Sequence, residues 1–130
     1  MKQIIFILLI IIPYSCSFQQ KDELIPVNAK VLAKDYKTNL QAGNRKYRGK
    51  VLLVEGVIAE YFRNKKQEIS IVLQDKNQLV GVKCNLIRSS KQITKPLKYG
   101  QKIKIKGVCI GFKEFILLEN CFIVKATSNN

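Results

Sequence analysis

Histidine is absent from the 130 residues, which removes Ser-His and Cys-His nucleophile pairs and the commonest zinc ligand besides cysteine. Nine Asp and Glu are scattered along the chain. The nearest pair, Glu55 and Glu60, is five residues apart, and on a strand an odd separation sends two carboxylates to opposite faces unless a bulge at Gly56 resets the register. A solvated surface is the better reading of both. Cys84, Cys109 and Cys121 each sit among alternating apolar residues, are widely spaced and form no CxxC pair. A zinc site built on them lacks a fourth ligand. They fit either one disulfide with a thiol left over or three buried free thiols. No catalytic residue, cofactor or metal is expected.

What remains is binding chemistry. The stretch "YFRNKKQ" sets Tyr61 and Phe62 beside Arg63, Lys65 and Lys66, and "GFKE" sets Phe112 beside Lys113. Rings of this kind stack on unpaired bases, and the neighbouring cations meet phosphates. Lys83, on the polar face of an alternating stretch, belongs with them as a candidate contact. Each has a plainer alternative: a ring closes the end of a barrel, or a charge is simply hydrated. No aromatic residue occurs between Phe62 and Tyr99, so the intervening strands offer no stacking platform, which argues against sequence-selective binding. The net charge of +14 favours anionic partners such as nucleic acid or acidic oligosaccharide. An Ile-, Lys- and Asn-rich composition raises Lys by itself, so charge supports affinity for anions without choosing one.

These residues form a site only if the fold gathers them. Asn28 is placed to cap a helix that begins at Ala29, with Val31, Leu32, Tyr36 and Leu40 on one stripe. That helix should fade near Gly43 and Asn44, within a helical segment spanning 28–46. From Gly49 the pattern turns to strands: Val51–Tyr61, then "QEISIVLQD", then Val80 to Leu86 in alternation. A connector containing Pro96 follows, with room for one helical turn. The last two strands are "GQKIKIKGVCI" and "FILLENCFIV". Three strands, a connector and two more strands is the order of an OB-fold, a five-stranded Greek-key barrel. The expected architecture is therefore all-β with an N-terminal helix, the barrel occupying 47–125 and a frayed tail 126–130.

"GKVLLVEGVI" and "GQKIKIKGVCI" share a glycine, six mostly strand-forming residues, a second glycine and Val. In an OB barrel the first and fourth strands pair and both bend to close it. Gly56 and Gly107 are thus expected at the bends, where a missing side chain allows a bulge or a close backbone approach, and Gly49 and Gly100 in the turns that feed the strands. The fifth strand lies between the third and fourth, so a cysteine pair would involve Cys121, its partner left open. Ligands of this fold sit on the outer face of strands two and three, flanked by the loops joining strands one to two and four to five. "YFRNKKQ" and "GFKE" occupy those two loops.

With these motifs in place, the chain resembles the tRNA-anticodon-binding-like OB-fold family from about Ala29 to Val124. The likeness is carried by "YKTNLQAGNRKYRGKVLLVEGVI", "VGVKCNL", "LKYGQKIKIKGVCIGF" and "LLENCFIV". The resemblance implies an OB barrel and a capacity for nucleic-acid binding, in small secreted or lipid-anchored bacterial proteins. Fold likeness is by itself a poor warrant for function.

The first residues, "MKQIIFILLIIIPYSC", carry one Lys and an apolar run from Ile4 to Ile12. Nine apolar residues are too few to cross a bilayer and fit a secretion signal. A cysteine just past such a run is the lipid attachment point of bacterial lipoproteins, so residues 1–15 are expected to be removed and Cys16 lipidated. Pro13 and Tyr14 depart from the usual spelling, which leaves plain cleavage after Ser17 open. Residues 16–27 read as a polar tether. Without Lys2, 22 Lys and Arg face 9 Asp and Glu, near +13. The expected protein is a non-catalytic OB-fold module held to a membrane of the cell envelope, facing periplasm or cell surface, that binds an anionic polymer. The rival reading is a protein-interaction or structural envelope lipoprotein with only nonspecific affinity for anions.

Overall fold

The computed structural model describes residues 23–87 and 96–126. The expected signal peptide, Cys16, most of the tether, the connector turn and nearly all of the tail lie outside them. Strand β1 (Ile25–Asn28) leads into helices α1 (Ala29–Thr38) and α2 (Leu40–Tyr47). These are followed by β2 (Val51–Arg63), β3 (Ile69–Leu73), β4 (Val82–Leu86), β5 (Lys102–Phe112) and β6 (Ile116–Ala126). The five later strands run in the order β2-β3-β4-β6-β5, and β2 pairs with β5 to close the barrel. This is the expected OB topology, with the first and fourth strands paired and the fifth between the third and fourth.

Alternation builds the barrel. Along β2, Leu52, Val54 and Ile58 point inward; Ile71 and Leu73 of β3, Val82 and Cys84 of β4, Ile103 and Ile105 of β5, and Ile116 and Leu118 of β6 meet them in one core. Each is at most 1% exposed, so each contributes about 1.5–3 kcal/mol of burial. The described cysteines are free and buried. Cys109 accepts or donates a contact with the Tyr36 hydroxyl at 3.5 Å, and burial pushes its thiol up. Cys84 is held well above the usual thiol range by its hydrogen bond with Cys121 and by burial. None of these conditions favours a reactive thiolate.

Four local expectations are revised. The helical segment 28–46 is two helices, broken at Asn39, whose backbone is extended (φ −158°) while its side chain accepts from Ala42 N at 3.1 Å and caps α2. Asn28 caps α1 as expected, accepting from Lys30 N at 2.8 Å. The buried stripe is Ala29, Leu32, Ala33 and Tyr36, whereas Val31 and Leu40 are nearly half exposed. Two alanines let the helix approach closely, and Val31 falls a third of a turn away. Residues 25–27, read as tether, belong to β1, which adds to β2 in parallel through Ile25↔Leu52 to Asn28↔Glu55. Finally, Gly49 and Gly100 do occupy left-handed turns (φ 78° and 83°), but the register slip of β2 against β3 lies between Ile58 and Glu60, not at Gly56. Gly56 instead admits a close approach: a Cβ there would lie 3.0 Å from the Cβ atoms of both Ala29 and Leu73.

Candidate nucleic-acid interface

Register alone arranges the outer face of the barrel in rows. Phe62 pairs with Ser70 and Ser70 with Asn85, giving one row across β2, β3 and β4. Val72 pairs with Lys83 and Lys83 with Leu117, giving the next. The first row continues as a hydrogen-bonded chain: Ser70 Oγ donates to Asn85 Oδ1 at 2.7 Å, and Asn85 Nδ2 donates to Glu119 Oε1 at 2.8 Å. From the second row Lys83 Nζ leans to 5.2 Å from the Phe62 ring centroid, a cation–π distance. Above the rows opens a cleft of about 590 Å³ lined by Phe62, Ser70, Lys83, Asn85 and Glu119 together with Asn64, Glu68 and Asn120.

Glu119 shares the outward face with Leu117 by ordinary alternation, and just after it β6 carries an extra residue. Between Val108↔Glu119 and Lys106↔Phe122, β5 advances two residues and β6 three, and Asn120 adopts a left-handed conformation (φ 54°). In a regular strand Glu119 and Cys121 would share a face. The bulge lets Glu119 line the cleft while Cys121 is fully buried. Asn tolerates this conformation better than most side chains.

The loop between β2 and β3 is tightly organised. Asn64 Oδ1 accepts from the backbone N–H groups of Lys66 and Glu68, both at 2.9 Å, and Asn64 Nδ2 donates to Glu68 Oε2 at 2.9 Å. Gln67 takes the left-handed position of the turn (φ 64°) and accepts from Arg63 at 3.3 Å. Lys65 and Lys66 are exposed. A bonded backbone therefore presents two cations, Lys65 and Lys66, at one edge of the cleft.

The eight binding residues expected from sequence divide into three places. Phe62 and Lys83 line the cleft, and Lys65 and Lys66 stand at its loop edge, between the cleft residues Asn64 and Glu68. Tyr61 turns to the opposite face from Phe62 and packs on Tyr99, ring centroids 5.4 Å apart; with Arg63 it lines a separate hollow of about 310 Å³ shared with Pro96 and Leu97. Phe112 and Lys113 are not gathered with the others. They line a third hollow of about 220 Å³ with Asn44 and Arg48, and the Phe112 ring stacks on Tyr36 at 6.1 Å with Lys37 Nζ at 6.0 Å on it. The physical reason is the helical cap, which covers that end of the barrel and offers Phe112 an aromatic partner. Ser70, Asn85 and Glu119 were not singled out in the sequence. Ser70 and Asn85 carried a signal as polar residues on alternating strands, and the Asn within "LLENCFIV" marked the bulge.

Charge is distributed unevenly. The cleft and its edge hold Lys65, Lys66 and Lys83 against Glu68 and Glu119, whereas residues 29–50 hold seven Lys and Arg against Asp35 alone. On the far side of the barrel Lys102 and Lys104 are each 3.7 Å from Glu55. Among the described residues no group of three or more Cys, Asp or Glu is placed to hold a metal ion, and no helix is long and apolar enough to cross a membrane.

The tRNA_anti-like family model matches residues 1–122. No curated protein matches the chain. Among solved structures the chain is similar to Entamoeba histolytica asparaginyl-tRNA synthetase in complex with asparaginyl-adenylate, at TM-score 0.47 and 12% identity over 82% of this chain and 25% of that one. It is also similar to yeast Stn1 and Ten1, at TM-score 0.48 and 11% identity over 82% of this chain and 66% of that one. It thus spans a quarter of the first chain and just under two thirds of the second.

Proposed function

Since the chain belongs to the tRNA_anti-like family, we propose that it is a non-catalytic OB-fold module that holds a single-stranded anionic polymer, foremost nucleic acid, across the face of β3 and β4. The observation that carries this reading is the cleft itself. It lies on the ligand face of the fold, has Phe62 at one wall and Lys83 beside it, and is edged by a hydrogen-bonded loop bearing Lys65 and Lys66, with Arg63 beside that loop in the neighbouring hollow. A stacked base on the ring and phosphates along the loop is the division of labour that single-strand binding uses. Lipidation of Cys16 belongs to the same proposal and places the module at a membrane of the cell envelope; mass spectrometry of the mature N-terminus reads a diacylated Cys16 or, against it, an unmodified Phe18.

The test is fluorescence anisotropy with labelled single strands across a salt series. Replacing Arg63, Lys65 and Lys66 with Ala should lower the slope of log affinity against log salt by about 0.7 for each phosphate that is no longer neutralised. Replacing Lys102, Lys104 and Lys106 removes equal charge from a surface outside the cleft and should change affinity little. Equal losses from the two triple variants would replace this reading with its rival, an interaction module with nonspecific affinity for anions. That rival draws support from the concentration of cations on the helical cap.

A further inference from the structure

The cleft is not a phosphate pocket. Of the charged groups lining it, Lys83 is the cation, and Glu68 and Glu119 are carboxylates. A phosphate drawn to the exposed loop cations would be repelled on moving inward. The groups of a single strand that suit the interior are its bases, and what the interior offers them is an acceptor. Glu68 Oε2 is already engaged by Asn64, and Glu119 Oε1 by Asn85. The second oxygen of Glu119 has no hydrogen-bond partner among the described residues. The chain from Ser70 through Asn85 fixes the carboxylate in place, so this acceptor is oriented before any ligand arrives.

We infer that Glu119 makes the cleft a nucleobase site that favours bases with an exocyclic amino group, guanine, cytosine and adenine, over thymine and uracil. This rests on the proposed binding of single-stranded nucleic acid. Guanine presents adjacent N1–H and N2–H₂ donors to a carboxylate, and cytosine and adenine present N4–H₂ and N6–H₂. Thymine and uracil present one N–H between two carbonyl oxygens, which bring electron density against the carboxylate. Phe62 and Glu119 stand at opposite ends of one row through Ser70 and Asn85, three strand spacings or about 14 Å apart at the backbone, so the base that meets Glu119 is the neighbour of one stacked on Phe62.

The experiment uses the full chain and labelled strands of about 9 nucleotides, a length within the span of one OB barrel, at one fixed salt concentration. The host strand is all dT, and three others carry a single central dG, dC or dA. The wild-type protein should bind the substituted strands about tenfold more tightly than the host, dG most strongly. Glu119→Gln keeps the size of the side chain and an oxygen for Asn85, and should bring all four strands within about twofold of each other. Lys102→Ala should leave the ranking as in wild type. If wild-type protein binds the four strands equally, the inference fails while the single-strand reading stands. A ranking that survives Glu119→Gln in a variant whose melting curve shows it folded also defeats the inference. Binding to none of the strands overturns the nucleic-acid reading itself, and the wild-type ranking is decisive even if the variant does not fold.

Discussion

The cleft on β3 and β4 and the helical cap at the barrel end divide the properties expected of a nucleic-acid binder. The cap has charge without a prepared receptor: across residues 29–50 the only acid is Asp35, which pairs with Lys46 at 3.3 Å, while Lys30 bridges to Asp75 at 3.0 Å. Lys34, Arg45, Arg48 and Lys50 have no ion pair among the described residues. The cleft has the reverse, mixed charge with side chains locked by short hydrogen bonds. Long-range attraction and local discrimination therefore have different addresses. Exposed cations act through a field that salt screens within about 10 Å, whereas an oriented acceptor acts at contact distance. Replacing Lys34, Lys37, Arg45 and Arg48 together should flatten the salt dependence of binding without changing which bases are preferred.

The strongest way to break the comparison is to collapse the cleft from behind while leaving the cap intact. Gly107 lies under the β6 bulge, and a Cβ there would collide with the Cys121 sulfur and lie 3.2 Å from the Glu119 carbonyl oxygen. Gly107→Ala should cost about 3 kcal/mol or more, read as a fall in the urea midpoint, because a packed core cannot absorb such an overlap without backbone movement. Any folded fraction should lose base preference. A smaller effect comes from the aromatic wall. Phe62→Ala should weaken single strands by about 1–3 kcal/mol in anisotropy titrations, and Tyr61→Ala by much less, because Tyr61 faces Tyr99 on the other side of the strand.

The cap carries its own internal contact, and breaking it should leave the cleft untouched. The buried Tyr47 hydroxyl donates to Asp35, and that bond, with help from Lys46, holds the Asp35 carboxyl below its ordinary value of 3.8. A depressed carboxyl contributes stability above its unfolded value and loses it as pH falls through the folded one. Urea midpoints should accordingly decline below pH 4, and Asp35→Asn should flatten that decline while costing about 1–2 kcal/mol at neutral pH. The smallest effect belongs to Gly49→Ala. The turn has φ 78° but nothing within 4 Å of the added Cβ, so the expected loss is about 1 kcal/mol of backbone strain, visible as a shift of a few degrees in melting temperature.

The barrel was readable because its signals are local. Period-two apolar residues, glycine turns at Gly49 and Gly100, and the spacing of five strands each constrain a few neighbouring residues, and together they admit few topologies. The cap was readable only in part. Asn28 announced the start of α1, but an asparagine at 39 serves equally inside a polar stretch, and only packing shows that Ala29 and Ala33, not Val31 and Leu40, face the core. Gly56 was recognised as special, but which of two uses it served, a bulge or a close approach, was not legible. Its need is room for Ala29 and Leu73, and both are remote from it in sequence.

For the cleft, the residue types that gather charge and rings were evident along the chain, since "YFRNKKQ" is a single stretch. Which of them converge was not. Phe62 meets Lys83 through pairing across three strands, and Phe112 leaves the expected rim because Tyr36 of the cap stacks on it. Cys121 returns to the core two residues after outward-facing Glu119 only through one residue of slip in β6, at the left-handed Asn120. Composition and periodicity therefore determined the barrel and its positive charge, because both arise from averages over many residues. The binding geometry was decided by tertiary structure, because it turns on register and on contacts between segments that no local pattern relates.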